Sequence, residues 1–245
     1  REDVHVYDNW GIFRTRATGS DGFLGITSAS HFDPLLAYES LGADTDLAWQ
    51  LGQKFTELYP DANQRAEKIF TFVRDRVRYT SDSDQFGSAE FAQNADEVAA
   101  TIKSLSLAKG DCEDSSILLA VIYKSAGYRS ALALMPGHVA TLVYLPDYRK
   151  SAHTLKLAGE AGWVWAEATG DTNRLGWVPT SLVEEGVIAK EITHSDIANL
   201  DTTAPAIEVE FVTRSGGSSA TTATAIFLGS VGFLWITGGT RRRNL

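Results

Sequence analysis

The chain has one cysteine, in Gly110-Asp111-Cys112-Glu113-Asp114, followed by an apolar run from Ile117 to Tyr123. A histidine comes 26 residues later, in a Pro136-Gly137-His138 turn between two strand-like runs, 130–135 and 140–145. Asp111 can cap a helix, Glu113 and Asp114 suit the positive end of its dipole, and Gly127 can close it, so Cys112 falls in the first turn. A thiol in that position becomes a nucleophile when an imidazole takes its proton. The helix end alone supplies only about 0.3–1 kcal/mol, less than one pKa unit, and the carboxylates of Asp111, Glu113 and Asp114 oppose a thiolate. Activation must therefore come from His138. Most free cysteines are small buried hydrophobes, but this acidic context is a poor place for one.

A cysteine–histidine pair usually needs a third group to hold the imidazole in the right tautomer. The segment Gly162-Trp163-Val164-Trp165-Ala166-Glu167-Ala168-Thr169-Gly170-Asp171 reads as a strand running into a turn. Period-two alternation sets Trp163, Trp165 and Glu167 on one face. Glu167 and Asp171 are the two candidate acids.

These residues together resemble a known family. Gly-x-Cys-x-Asp before a Leu-Leu helix, a histidine on the next strand and an acid-x-Thr on the strand after are similar to the transglutaminase-like domain of the papain-like cysteine protease superfamily. The likeness spans about 62–179 and includes the upstream helix from Ala66 to Val73 that leads to Val77-Arg78-Tyr79. It implies an α+β fold with a papain-like core, in which a helical N-terminal lobe carries the nucleophile helix and packs on an antiparallel sheet. It implies Cys112 as nucleophile, His138 as base and Glu167 as acid, with Asp171 the alternative. Asp111, Asp114 and Thr169 become structural positions of the motif, and neither a cofactor nor a metal is implied. The chain departs from the family in Val139-Ala140, where an aromatic often follows the histidine, in glutamate for aspartate, and in an inserted loop over 147–161.

The expected activity is that of a cysteine hydrolase or acyltransferase acting on amide or peptide bonds of a peptide or protein substrate. Such domains also serve as inactive scaffolds, so the alternative is a non-catalytic accessory subunit supporting other membrane subunits.

The elements that must position these residues are legible in outline. Leu47, Leu51, Phe55 and Leu58 recur at helical spacing over 45–59 and Pro60 ends the run. Asp61 and Gln64 start a second helix that turns Ala66, Ile69, Phe70, Val73 and Val77 inward. The stretch 81–93 reads as a polar loop. Its Asp82-x-Asp84 is a poor calcium loop, because Phe86 occupies the next ligand position and no closing glutamate follows. Asn94 caps a short helix to Ser104, and 207–212 alternates as a late strand.

Residues 215–240 carry no charge and are followed by Arg241-Arg242-Arg243, long enough for one transmembrane helix over 219–240. Glycines and threonines dilute its hydrophobicity, while Trp235 suits an interfacial anchor. Positive-inside bias puts the basic tail, 241–245, in the cytoplasm and the domain outside the cell membrane, a single-pass arrangement. The tail is similar to the sorting tails of prokaryotic surface proteins, without a clear recognition motif. The chain begins at Arg1 rather than methionine, in keeping with removal of a targeting segment. The expected division is 1–42 as strands and loops on the core, 43–191 as the transglutaminase-like domain, and 192–218 as late strand and linker.

The formal charge is −9 and becomes −12, 31 acids against 19 bases, when Arg241, Arg242 and Arg243 are set aside. Nucleic acid is thus an improbable partner. One cysteine excludes an internal disulfide or a cysteine-based zinc site.

Overall fold

The structure, a computed structural model, describes residues 4–7, 13–16, 47–87, 92–135, 138–179, 187–192 and 207–213. The expected membrane span and basic tail lie outside these residues, as does the Pro136-Gly137 pair. Among the described residues no helix is long and apolar enough to cross a membrane.

The chain is α+β. Strands β1 (Val4–Tyr7) and β2 (Phe13–Arg16) form an antiparallel hairpin. Helices α1 (Leu47–Leu58) and α2 (Ala62–Arg76) follow, with Pro60 and Asp61 between them. The Asp61 side chain accepts the Gln64 N–H at 2.7 Å, as a helix N-cap should. Ala66, Ile69, Phe70 and Val73 are the buried face of α2, at the spacing the sequence shows. In α1 the buried residues are Ala48 and Gly52, with Leu47, Leu51 and Phe55 only partly covered and Leu58 exposed. The reason is a close crossing: a Cβ on Gly52 would lie 1.7 Å from Ser125 Oγ.

Strand β3 (Val77–Tyr79) runs parallel to β4 (Ala108–Gly110), between which lie α3 (Asp82–Gln85) and α4 (Ala95–Leu105). The loop expected over 81–93 thus contains a helical turn, capped by Ser81. Asn94 caps α4 by accepting the Glu97 N–H at 2.8 Å. Helix α5 (Cys112–Ser125) is enclosed from Glu113 to Tyr123 and is the centre of the larger apolar core.

Six antiparallel strands close into a barrel in the order β10-β7-β8-β6-β5-β9. They are β5 (Ser130–Met135), β6 (His138–Tyr144), β7 (His153–Leu157), β8 (Glu160–Ala166), β9 (Ile188–Glu191) and β10 (Ile207–Thr213). Alternation along β6 and β8 divides the two cores. Val139, Val143 and Val164 join the helical core, while Ala140, Leu142, Trp163 and Trp165 fill the second core. The insert expected to be a loop over 147–161 instead supplies β7 and its hairpin to β8. Ala158 and Gly159 both take positive φ (53° and 79°), which suits a two-residue hairpin turn. His153-Thr154-Leu155-Lys156-Leu157 is a short alternating strand whose polar members masked it.

Candidate active site

Three elements converge on the cysteine. The β3–β4 ladder sets Tyr79 abreast of Gly110, two residues before Cys112. Gly110 is required by close approach, since a Cβ there would meet Asp114 Oδ2 at 2.6 Å. Asp111 is the N-cap residue of α5, and its N–H donates to Asp114 Oδ2 at 3.3 Å. Asp114 is further held by Gln93, whose backbone N–H and side-chain amide each donate to it at 2.6 Å. The motif aspartate therefore ties the helix start to the segment before α4. Gln93 carried no sequence signal, because its partner lies 21 residues away.

One turn into α5, the Ser116 hydroxyl donates to the Val139 carbonyl at 3.2 Å, and the Thr141 hydroxyl donates to the Ser116 carbonyl at 2.9 Å. These bonds fasten α5 to β6. The Val139 backbone N–H is close enough to Cys112 to favour its thiolate. The sulfur is thereby near Val139, the residue after His138, which is the first residue of β6 rather than a turn residue.

His138 Nε2 is 2.5 Å from Glu167 Oε2. Glu167 follows the last residue of β8 and is almost wholly buried. Its other oxygen accepts the Thr169 hydroxyl and, at 3.3 Å, the Thr169 N–H. Burial pushes this carboxyl up, but bonds from His138, the His138 charge and the two Thr169 donors outweigh it and hold Glu167 below the usual carboxylate range. A carboxylate only accepts, so Nε2 carries the proton and Nδ1 is left as the basic nitrogen of the neutral ring. Asp171 is exposed, and the acid on His138 is Glu167.

The surroundings of Cys112 have the opposite sign. Its S–H donates to Glu113 Oε2 at 3.2 Å. Burial first, then the charges of Glu113 and Asp111, push the thiol well up, against the Val139 N–H, which favours thiolate. Glu113 is itself raised by burial and by Asp111. Asp114 is raised by burial and Asp111, opposed by the Gln93 donors. In this arrangement the sulfur is held as a thiol.

Among the described residues, two groupings bring carboxylate or thiol atoms close enough for a cation: Asp111 with Cys112 and Glu113, and Asp82 with Asp111 and Asp114. The latter joins Asp82 to the cap of α5, and Asp84, its partner in the poor calcium-loop pattern, is not part of it. No protein-family model matches the chain, and no curated protein matches it.

Proposed function

We propose that the chain is a transglutaminase-like cysteine hydrolase or acyltransferase that acts on amide bonds of a peptide or protein through Cys112, His138 and Glu167. The contact between His138 Nε2 and Glu167 Oε2 carries this reading, because it fixes the tautomer that leaves Nδ1 basic on the strand that meets the thiol. Cys112 Sγ attacks the carbonyl carbon while its proton passes to the imidazole. His138 then gives that proton to the departing amine, leaving a thioester on Cys112. Water or a second amine, deprotonated by His138, releases the acyl group as acid or new amide and restores the thiol. Backbone N–H groups at the start of α5 face the developing oxyanion.

The S–H bond to Glu113 favours a second reading, a non-catalytic scaffold in which the thiol is structural. Labelling by a peptidyl chloromethyl ketone separates the two. Cys112 should be alkylated far faster than by chloroacetamide, and His138→Ala should abolish that advantage. Equal rates for both reagents, unchanged in His138→Ala, would leave the scaffold.

The same proposal places the domain outside a cell membrane, held by the uncharged stretch 215–240 and its triple-arginine stop. Full-length chain should remain in the membrane fraction through carbonate extraction. Its appearance in the supernatant would remove the anchor.

A further inference from the structure

Helix α2 presents a stripe of Glu67, Phe70 and Arg74, at helical spacing, to the loop that follows β6 and the turn that follows Glu167. Between them lies a cleft of about 350 Å³, completed by Tyr148, Lys150, Arg174 and Leu175. That is at the small end of ligand sites, which run from about 300 to 1,000 Å³. Phe70, Tyr148 and Leu175 are buried and supply its apolar part, with the Tyr148 hydroxyl donating to the Leu175 carbonyl at 3.4 Å. The charged part is mostly cationic. The whole chain has 31 acids against 22 bases, yet this lining sets Arg74, Lys150 and Arg174 against Glu67 alone.

The charges are not equivalent. Lys150 Nζ is 2.6 Å from Glu67 Oε1, so these two largely cancel. Arg74 is held in place, its side chain only 18% exposed and its guanidinium 5.9 Å from the Phe70 ring centre. Its Nε donates to Asp75 Oδ1 at 2.8 Å and its Nη1 to the Asn173 carbonyl at 2.5 Å, which leaves Nη2 free to donate. Arg174 is exposed, and among the described residues its guanidinium has no hydrogen bond or ion pair. With Asp75 counted, Arg74, Lys150 and Arg174 face two acids, so one further negative charge balances the cleft. A carboxylate supplies that charge in the planar, two-oxygen shape that a guanidinium fork matches. We propose that this cleft binds an organic monocarboxylate, its charged end between Arg74 and Arg174 and its apolar body on Phe70, Tyr148 and Leu175. No lining residue belongs to the set of Cys112, His138 and Glu167, so the inference stands apart from the proposed catalytic reading.

Titration of the full chain with 3-phenylpropionate and with its neutral counterpart 3-phenylpropanamide, read by saturation-transfer NMR of the ligand, tests the cleft. The acid should bind at least about tenfold more tightly than the amide. Arg174→Ala, at an exposed position, should weaken the acid about tenfold and leave the amide unchanged. Arg74→Lys keeps the charge but loses the fork, and should weaken the acid severalfold. Glu67→Gln removes the acid of the lining while keeping its shape, so it should tighten the acid severalfold, an effect opposite in sign to any loss of packing. Equal affinity for acid and amide, no binding of the acid at about 10 mM, or an acid affinity unchanged in both Arg174→Ala and Glu67→Gln would overturn the site. Displacement of the acid by an equal concentration of inorganic phosphate would also overturn it, because the cleft would then be reading charge without the apolar body.

Discussion

His138 and Glu167 are joined by a 2.5 Å contact across the end of β6 and β8, although β8 formally ends one residue before the acid. The pairing Thr141 with Ala166 fixes the register there. Continued one step, it sets Glu167 on the same side of the sheet as Trp163 and Trp165, with His138 its diagonal neighbour. Glutamate's additional methylene spans that diagonal. Thr169, two residues on, satisfies the second oxygen and keeps the carboxylate from turning to solvent. The acid is thus positioned by strand register and by its own following turn.

Glu167→Gln keeps the shape of this contact while allowing the amide to favour the wrong imidazole tautomer. Turnover should fall by about 10²–10⁴, with a loss of thermal stability of only a few degrees. Asp171→Asn, at an exposed turn position, should leave both unchanged. Steady-state kinetics and thermal melts on the two variants decide the assignment. Loss in Asp171→Asn with full activity in Glu167→Gln would reverse it.

The depressed Glu167 carboxyl also sets an acid limit. A carboxyl lowered on folding contributes stability that is fully present above its unfolded value, about 4.3, and is lost as pH falls through the lower folded value. Wild type should lose stability below about pH 4 more steeply than Glu167→Gln. Urea midpoints measured from pH 7 to pH 3 should converge for the two proteins at the acid end, and parallel curves would remove Glu167 from the titration.

Glu113→Gln tests the electrostatics around Cys112. Glu113 accepts the Cys112 S–H, while burial and the neighbouring Asp111 push its own carboxyl up to about 12, so it is a neutral acid at pH 7. Glu113→Gln then exchanges one neutral group for another, so the iodoacetamide rate at pH 7 should change little, and a large acceleration would show that Glu113 is ionised beside the thiol. For wild type the rate should climb about tenfold per pH unit through neutrality, as expected of a thiol whose pKa lies above the range studied. A wild-type profile already flat at pH 7 would show that His138 overcomes the carboxylates in the free protein.

The sequence announces what is local. The caps at Asp61 and Asn94, the inward face of α2 and the alternation through Trp163 and Trp165 all follow from residues a few positions apart. Cys112, His138 and Glu167 are legible because each is an unusual residue at an element boundary. Other parts of the site depend on chain segments that meet only after folding. Gln93 reaches Asp114, Ser116 reaches Val139, and Tyr79 reaches the nucleophile's surroundings through the β3–β4 ladder. Strand β7 was hidden for a different reason. Lys156 faces Glu210 of the adjacent strand β10 at 3.2 Å, so a charge within the strand is paired with its ladder neighbour rather than marking a loop. Helix α1 shows the limit of periodicity, which identifies a helix but reports bulky residues as the contact face, whereas the closest approach belongs to a glycine.

That approach yields the last prediction, Gly52→Ala. On an exposed helix the change would stabilise by up to about 1 kcal/mol through helix propensity. Here the new Cβ would lie 1.7 Å from Ser125 Oγ and 2.4 Å from the Ile122 carbonyl oxygen. The serine can rotate away. The carbonyl is part of the α5 backbone and cannot, so α1 must withdraw from α5. Overpacking of this kind costs about 1–3 kcal/mol, enough to exceed the propensity gain. The melting temperature should fall by roughly 2–4 °C for each kcal/mol of net loss. Ser125→Gly in the same chain should recover little, because the backbone contact remains. Cys112 lies at the opposite end of α5, about 20 Å from this crossing at 1.5 Å per residue. Its alkylation rate should therefore change far less than the melting temperature. An unchanged or higher melting temperature would mean that α1 does not dock on α5 through Gly52.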